Sequence, residues 1–198
     1  MIAIIPAAGR STRMGRPKLA LPLDGRTVLE CVVQTLKAAG VAEVVVVIGP
    51  HVADLVQLAE RAGAHAVLLP DATPDMRTTI ERGLAWIEQK FQPQPEDAWL
   101  LAPADHPALD TVAVRHLIVE FQSQSRCTIA VPTFAGQRGH PAALAWKHVT
   151  GIRALPPELG LNAYLRQHAD ETLEVPVESA GVLIDLDTPE DYERLATT

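Results

Sequence analysis

Ile2 to Pro6 is a short apolar run that gives way at once to Gly9 and a polar, basic stretch, the pattern of a buried strand that delivers a loop. Val44 to Ile48 is unbroken β-branched sequence, which predicts a strand covered on both faces in a parallel sheet. Between them Thr27 and Glu30 stand at capping-box spacing, and the apolar residues that follow fit a helix ending at Gly40. The unit then repeats. A helix from about Ala53 to Ala62 stops at Gly63, and a short strand covers Ala66 to Leu69. A further helix runs from Thr78 to about Lys90, with Thr78 and Glu81 again at capping-box spacing. After a Pro/Gln loop from Gln92 to Glu96 come a strand at Trp99 to Ala102, a helix from Thr111 to Phe121 and a strand at Thr128 to Val131.

From Pro132 onward the pattern loosens. Phe134 to His140 reads as a loop or hairpin, Ala142 to Trp146 as a strand, and Pro156-Pro157 breaks the chain before a short helix near Leu161 to His168. Thr172 to Val175 and Val182 to Asp185 are expected as strands, and Thr188-Pro189 opens a last helix with proline at its first position. Alternation of this kind means an α/β protein with a mostly parallel sheet. Ligands of such sheets sit beyond the carboxyl ends of the strands, so the loops that begin at Ala7, Pro70 and Pro103 are predicted to line one site.

With 198 residues, 47% of them hydrophobic, the chain is expected to form a single domain spanning 1–198. No apolar run approaches the roughly 18 residues of a membrane span, and Met1 to Pro6 lacks a basic leader region, so a soluble, cytoplasmic protein is expected. Cys31 and Cys127 stand far apart, which supports neither a zinc site nor a disulfide framework. A net charge of −7 excludes the broad basic surface of a non-specific nucleic-acid binder. Residues 1–23, however, contain no Asp or Glu and carry Arg10, Arg13, Arg16 and Lys18 close together. That asymmetry points to a local phosphate site.

The segment from Ala7 to Lys18 matches neither GxGxxG nor GxxxxGK[ST], since Gly9 and Gly15 are six apart and Lys18 follows three later; a dinucleotide enzyme and a P-loop ATPase are disfavoured. Ala7, Ala8 and Gly9 let backbone amides approach a ligand, while Arg13 and Lys18 supply the charge that a triphosphate and a departing pyrophosphate require. Asp105 closes a strand, where a carboxylate can hold Mg²⁺ or can simply make a turn. Asp185 and Asp187 lie two apart, so on an extended segment they would project to the same side. Glu190 and Asp191 are explained as acids in a helix's first turn.

The run AAGRSTRMGRPK resembles the LAAGxSxRMGxPK signature of the MobA/MocA-like nucleotidyltransferases, especially those that act as molybdenum cofactor cytidylyltransferases. The likeness continues through Asp75 to Gly83, Pro103 to Pro107, Gly139-His140-Pro141 and Asp185 to Asp191. It implies a Rossmann-like, three-layer nucleotide-diphospho-sugar transferase fold. It also implies in-line attack by an acceptor's terminal phosphate on the α-phosphorus of CTP, with Mg²⁺ as cofactor. On that resemblance Ala7, Ala8, Gly9, Arg10 and Ser11 meet the nucleotide together with Pro103 and Ala104, and Arg13 and Lys18 bind phosphates. Arg13, Lys18 and Asp105 are the implied catalytic residues, and Asp105 and Asp187 the metal ligands, with Asp187 favoured over Asp185. Thr79 stands where relatives carry a serine near the base, Arg77 lies beside it, and His140 is the implied acceptor-side residue.

The chain also departs from the family pattern. Asp75 and threonines replace the usual GMSSS residues, and Leu159-Gly-Leu-Asn162 lacks the acid and arginine that molybdopterin-linked members carry there. The implied partners are CTP or another nucleoside triphosphate, a small phosphorylated acceptor such as molybdopterin, and a molybdoenzyme that receives the product; neither nucleic acid nor membrane is implied. Two alternatives stand beside this one. The first is the same chemistry with GTP or on a sugar or polyol phosphate. The second is a non-catalytic nucleotide-binding chaperone, against which the joint presence of Arg13, Lys18, Asp105 and Asp187 argues.

Overall fold

The computed structural model describes residues 1–197. Its elements in chain order are β1 (Ile2–Ala7), the short strands β2 (Pro22–Leu23) and β3 (Arg26–Thr27), α1 (Val28–Ala38), β4 (Glu43–Ile48), α2 (Leu55–Arg61), β5 (His65–Leu68) and α3 (Met76–Phe91). They continue with β6 (Ala98–Leu101), α4 (Thr111–Ser123), β7 (Ile129–Phe134), β8 (Gln137–Arg138), β9 (Ala142–Ala145), α5 (His148–Arg153), α6 (Leu161–Gln167), β10 (Thr172–Pro176) and α7 (Pro189–Ala196). The central sheet has the order β10-β7-β9-β6-β1-β4-β5, with β8 paired to β7. β1 lies between β4 and β6 and runs parallel to both.

Alternation along the central strands builds the layers. Ala3, Ile5 and Ala7 of β1 and Val44, Val46 and Ile48 of β4 face the layer formed by α1, α2 and α4. Ile4, Val45 and Val47 face the opposite way, against Ile80, Leu84 and Ile87 of α3. The result is a three-layer α/β/α sandwich whose middle strands are buried on both faces, as their continuous apolar sequence requires.

The expected helix and strand positions recur with small shifts, and the capping box at Thr27 is present: the Thr27 Oγ1 accepts from Glu30 N at 3.3 Å and Thr27 N donates to Glu30 Oε2 at 2.7 Å. Two features differ from the sequence-based expectation, and the direction of β9, which the pattern left open, is seen in the structure. α3 starts at Met76, because the Asp75 carboxylate accepts from Thr78 N at 2.7 Å and caps the helix three residues before Thr78. Residues 182–185 form no strand; Ala180–Leu183 is a single 3₁₀ turn, with the Ser179 hydroxyl accepting from Gly181 N. β9 runs antiparallel to both neighbours, β6 and β7. Its direction follows from chain length. A two-residue turn at Ala135–Gly136, both with positive φ, sends the chain back through β8, and the few residues before Ala142 are far too short for a parallel crossover. The six-residue helix α5 had no sequence-based counterpart.

Candidate active site

β1 and β6 end side by side, and the loops that leave them meet. After Ala7 the chain folds into a compact loop in which Met14 N and Gly15 N both donate to Ser11 O at 3.1 Å. Ser11 and Gly15 take positive φ values of 49° and 68°, so the loop turns twice in a conformation that glycine adopts at no steric cost. Met14 and Leu19 are buried and anchor the loop in the core, while Arg10 and Arg13 stay on its outer face. Arg16 leaves the cluster: its guanidinium lies 5.3 Å from the centre of the Tyr192 ring on α7.

Lys18 is the hub. Its Nζ donates to Asp105 Oδ2 at 2.6 Å, to Leu186 O at 2.8 Å and to Asp187 Oδ1 at 2.9 Å. Arg13 closes the ring, with Nη1 2.7 Å from Asp187 Oδ2. Backbone contacts fix the acidic partners. Leu186 N donates to Asp105 O at 2.8 Å, tying the two acid-bearing segments together, and Asp187 N donates at 3.1 Å to Oδ2 of Asp191, which completes the capping box of α7 with Thr188. Burial alone would raise the Asp105 pKa, but hydrogen bonds from His106 and Lys18 more than reverse it and hold the carboxyl well below the usual range. Burial opposes the charged form of Lys18 as well, yet Asp105 and Asp187 together push its pKa upward. Both groups are therefore ionised, and the centre is a network of fixed charges.

Two cavities flank this hub. One, of about 270 Å³, is lined by Ala7, Gly9, Arg10, Ser11, Arg13, Lys18, Pro103, Ala104, Asp105 and Asp187, among others. The other, of about 290 Å³, is lined by Ala8, Gly9, Arg10, His51, Thr73, Asp75, Met76 and Thr79. Pro6, Gly9, Arg10 and Met76 border both, so the two form one cleft across the carboxyl ends of the strands. Thr79 is buried there, its hydroxyl bonded to the Thr73 hydroxyl at 2.6 Å and to Asp75 O at 3.1 Å. The loops beginning at Ala7, Pro70 and Pro103 converge, as their positions in the sequence led one to expect.

Three of the expected residues stand elsewhere. Arg77 lines neither cavity; its Nη1 donates to Leu155 O, Pro156 O and Leu159 O at 3.0, 2.7 and 3.2 Å and so holds the 155–159 loop. His140 lines neither cavity and packs edge-to-face on His106 with ring centres 5.1 Å apart. Its Nδ1 is buried without a hydrogen-bond partner, and burial followed by the nearby His106 lowers its pKa to about 4. Asp185 is exposed and borders a separate surface pocket, because the 3₁₀ turn rather than a strand precedes it. Gly139, beside His140, is pressed so closely on the same segment that a Cβ there would lie 2.4 Å from Val182 O.

His106 is the participant that sequence reasoning missed. Its Nδ1 lies 3.2 Å from Asp105 Oδ1, and since an ionised carboxylate only accepts, the ring must present Nδ1–H. The only signal in the sequence was adjacency to Asp105. The Leu186 carbonyl left no signal, because a backbone oxygen carries no residue identity.

Residues 3–172 match the family model described as the MobA-like NTP transferase domain. Among curated relatives, a nicotine blue oxidoreductase of Paenarthrobacter nicotinovorans is 28% identical, over 97% of this chain and 94% of that protein. A molybdenum cofactor guanylyltransferase of Rhizobium meliloti is 27% identical, over 97% of this chain and 88% of that one. Among solved structures, a nucleotidyl transferase from Methanothermobacter superposes with a TM-score of 0.80 at 21% identity, covering 99% of this chain and 95% of the other.

Proposed function

The chain belongs to the MobA-like NTP transferase domain family, a family of nucleotidyltransferases, and on that premise we propose that it transfers CMP from CTP to molybdopterin or the molybdenum cofactor, releasing pyrophosphate. One observation carries the reading. The Lys18 ammonium and the carboxylates of Asp105 and Asp187 meet within 2.9 Å at the mouth of a cleft whose other walls are small residues and arginines. In this reading the backbone of Ala7, Ala8 and Gly9, with Thr79, takes the base and ribose, and Arg10, Ser11, Arg13 and Lys18 take the triphosphate. The whole of 1–198 works as one unit, since Asp187 lies beyond the matched range of 3–172.

Asp105, Asp187 and the Leu186 carbonyl offer only oxygens, all converging on one cationic atom, which suits a small hard cation. Mg²⁺ held by Asp105 and Asp187 would neutralise phosphate oxygens and the charge that builds on departing pyrophosphate. Arg13 and Lys18 add positive charge on the same oxygens. An oxygen of the acceptor's terminal phosphate forms a bond to the α-phosphorus as the α–β bridging bond breaks, and the electron pair leaves with pyrophosphate. His106 keeps the Asp105 carboxylate oriented, and His140 acts behind it as a packing partner. A hydride-transfer reading, suggested by the name of one relative, finds no dinucleotide-type glycine spacing in the loop from Ala7 to Lys18.

Incubating the protein with each nucleoside triphosphate, Mg²⁺ and molybdopterin, and measuring pyrophosphate, tests the proposal. Release with CTP and molybdopterin is expected. Release with GTP would change the base assignment, release only with a sugar or polyol phosphate would change the acceptor, and no release with any pairing would refute the enzyme reading.

A further inference from the structure

The three protons of the Lys18 ammonium are all engaged, on Asp105, Asp187 and the Leu186 carbonyl. An ammonium has only three donors, so Lys18 in this position has none left for a phosphate. It also stands at the point where the two carboxylates converge, the position from which they would grip a cation. Counting Arg13, two positive side chains face two negative ones, and the cluster is electrically balanced by the protein itself. A divalent ion approaching this balanced cluster meets a like charge in its path.

We propose that Lys18 is a built-in stand-in for the divalent cation: it occupies the Asp105–Asp187 pair until a triphosphate draws it away, and only then do the two carboxylates accept the ion. The inference rests on the nucleotide-site reading above and adds an order to it. The four-carbon stem of lysine lets the ammonium swing from carboxylates to phosphate without backbone movement. Because the same side chain serves one partner or the other, binding of the triphosphate and of the ion is positively coupled, and each strengthens the other by the same factor. The ion alone binds weakly.

The test uses Mn²⁺ alone as probe, with free Mn²⁺ followed by electron paramagnetic resonance during titration of the full chain. Lys18→Met, which keeps the stem and removes the charge, should bind Mn²⁺ at least about tenfold more tightly than the parent protein. The gain should vanish in the double variant Lys18→Met with Asp105→Asn. Arg10→Met is the control for net charge: Arg10 borders the same cleft, and no ion pair joins it to either carboxylate among the described residues. It should change Mn²⁺ affinity by less than about threefold. Should Lys18→Met fail to fold, Lys18→Gln is measured instead, with the Mn²⁺-induced rise in melting temperature as second readout. Unchanged Mn²⁺ affinity in the lysine variant, or an equal gain in Arg10→Met, would overturn the proposal. Neither measurement involves CTP or an acceptor, so its outcome is separable from the pyrophosphate assay.

Discussion

Arg77 and Lys18 illustrate how differently two basic residues of one cleft region can be used. Lys18 gathers two carboxylates and a carbonyl, whereas Arg77 reaches away to three carbonyls of the 155–159 loop and pairs with Glu81 at 3.2 Å. That loop leads into Leu159-Gly-Leu-Asn162, the segment that departs from the molybdopterin-linked pattern and opens α6. In this structure Arg77 therefore holds the 155–159 loop and borders neither half of the cleft. Arg77→Ala should lower unfolding free energy by roughly 2 kcal/mol, the scale for losing charge-assisted hydrogen bonds, while leaving the dissociation constant for CTP within about twofold. Chemical denaturation and CTP titration of the same preparation check both halves. A large loss of CTP affinity without loss of stability would return Arg77 to the nucleotide.

At the scale of elements, the caps decide where helices begin. Asp75 is exposed, but its carboxylate accepts from Thr78 N and its pKa is lowered chiefly by that bond, so it starts α3 beside the cleft. Asp75→Ala should cost about 1 kcal/mol by denaturant unfolding and Asp75→Asn much less, since an amide oxygen caps nearly as well. Equal losses in the two would show that charge rather than capping matters. Periodicity made the parallel half of the sheet readable, because β1 and β4 are apolar on both faces and each is closed by a loop or a cap. Spacing points to Thr78 as the cap of α3, whereas the folded backbone uses Asp75, three residues earlier. The run Val182 to Asp185 looked like a strand because Val, Leu and Ile dominate it, yet Gly181 sits where a Cβ would be 1.9 Å from Ala108 O. That close packing bends the segment into a turn. The bend separates the exposed Asp185 from Asp187, a distinction that spacing by two residues could not make. Arg13, Lys18, Asp105 and Asp187 were legible as charges at loop positions; His106 was not, since its partner is its own neighbour.

Across the whole molecule, a second polar network lies away from the cleft and links the far end of the sheet to α5 and α6. His148 is buried, with Nδ1 2.9 Å from the Tyr164 hydroxyl and Nε2 2.8 Å from Thr128 Oγ1, which in turn donates to Glu171 at 2.7 Å. Lys147 and His168 complete the contacts on Glu171 at 3.2 and 3.1 Å. Since Thr128 gives its proton to Glu171, His148 donates through Nε2 and accepts at Nδ1, which is the neutral imidazole. Burial, the leading cause, lowers the His148 pKa below 6.5 despite the Glu171 charge, and the His140 pKa falls to about 4. Depressed histidines bind protons less readily folded than unfolded, so their contribution is fully present above pH 6.5 and is lost as pH falls through the folded values. The Glu171 pKa, lowered to about 2 by hydrogen bonds from Thr128, His168 and Lys147, acts later, with stability lost between pH 4.5 and 2. Melting temperature should accordingly be level above pH 6.5 and fall between pH 6.5 and 4, with a shallower fall in His148→Gln. A melting temperature that rises on acidification through that range would contradict the protonation states assigned here.

The three-layer sheet brings one lysine from the first loop and two aspartates from later loops to a single point, and it is there that we propose the reaction occurs. Pyrophosphate release by Asp105→Asn, measured on protein that retains its melting temperature and still binds CTP, tests that placement most directly. Turnover should fall by about 100-fold or more, because the fixed negative charge that anchors the cation is gone while the phosphate-binding side chains remain. Turnover near the parental rate in a variant that binds CTP normally would put the chemistry somewhere other than the Lys18–Asp105–Asp187 centre.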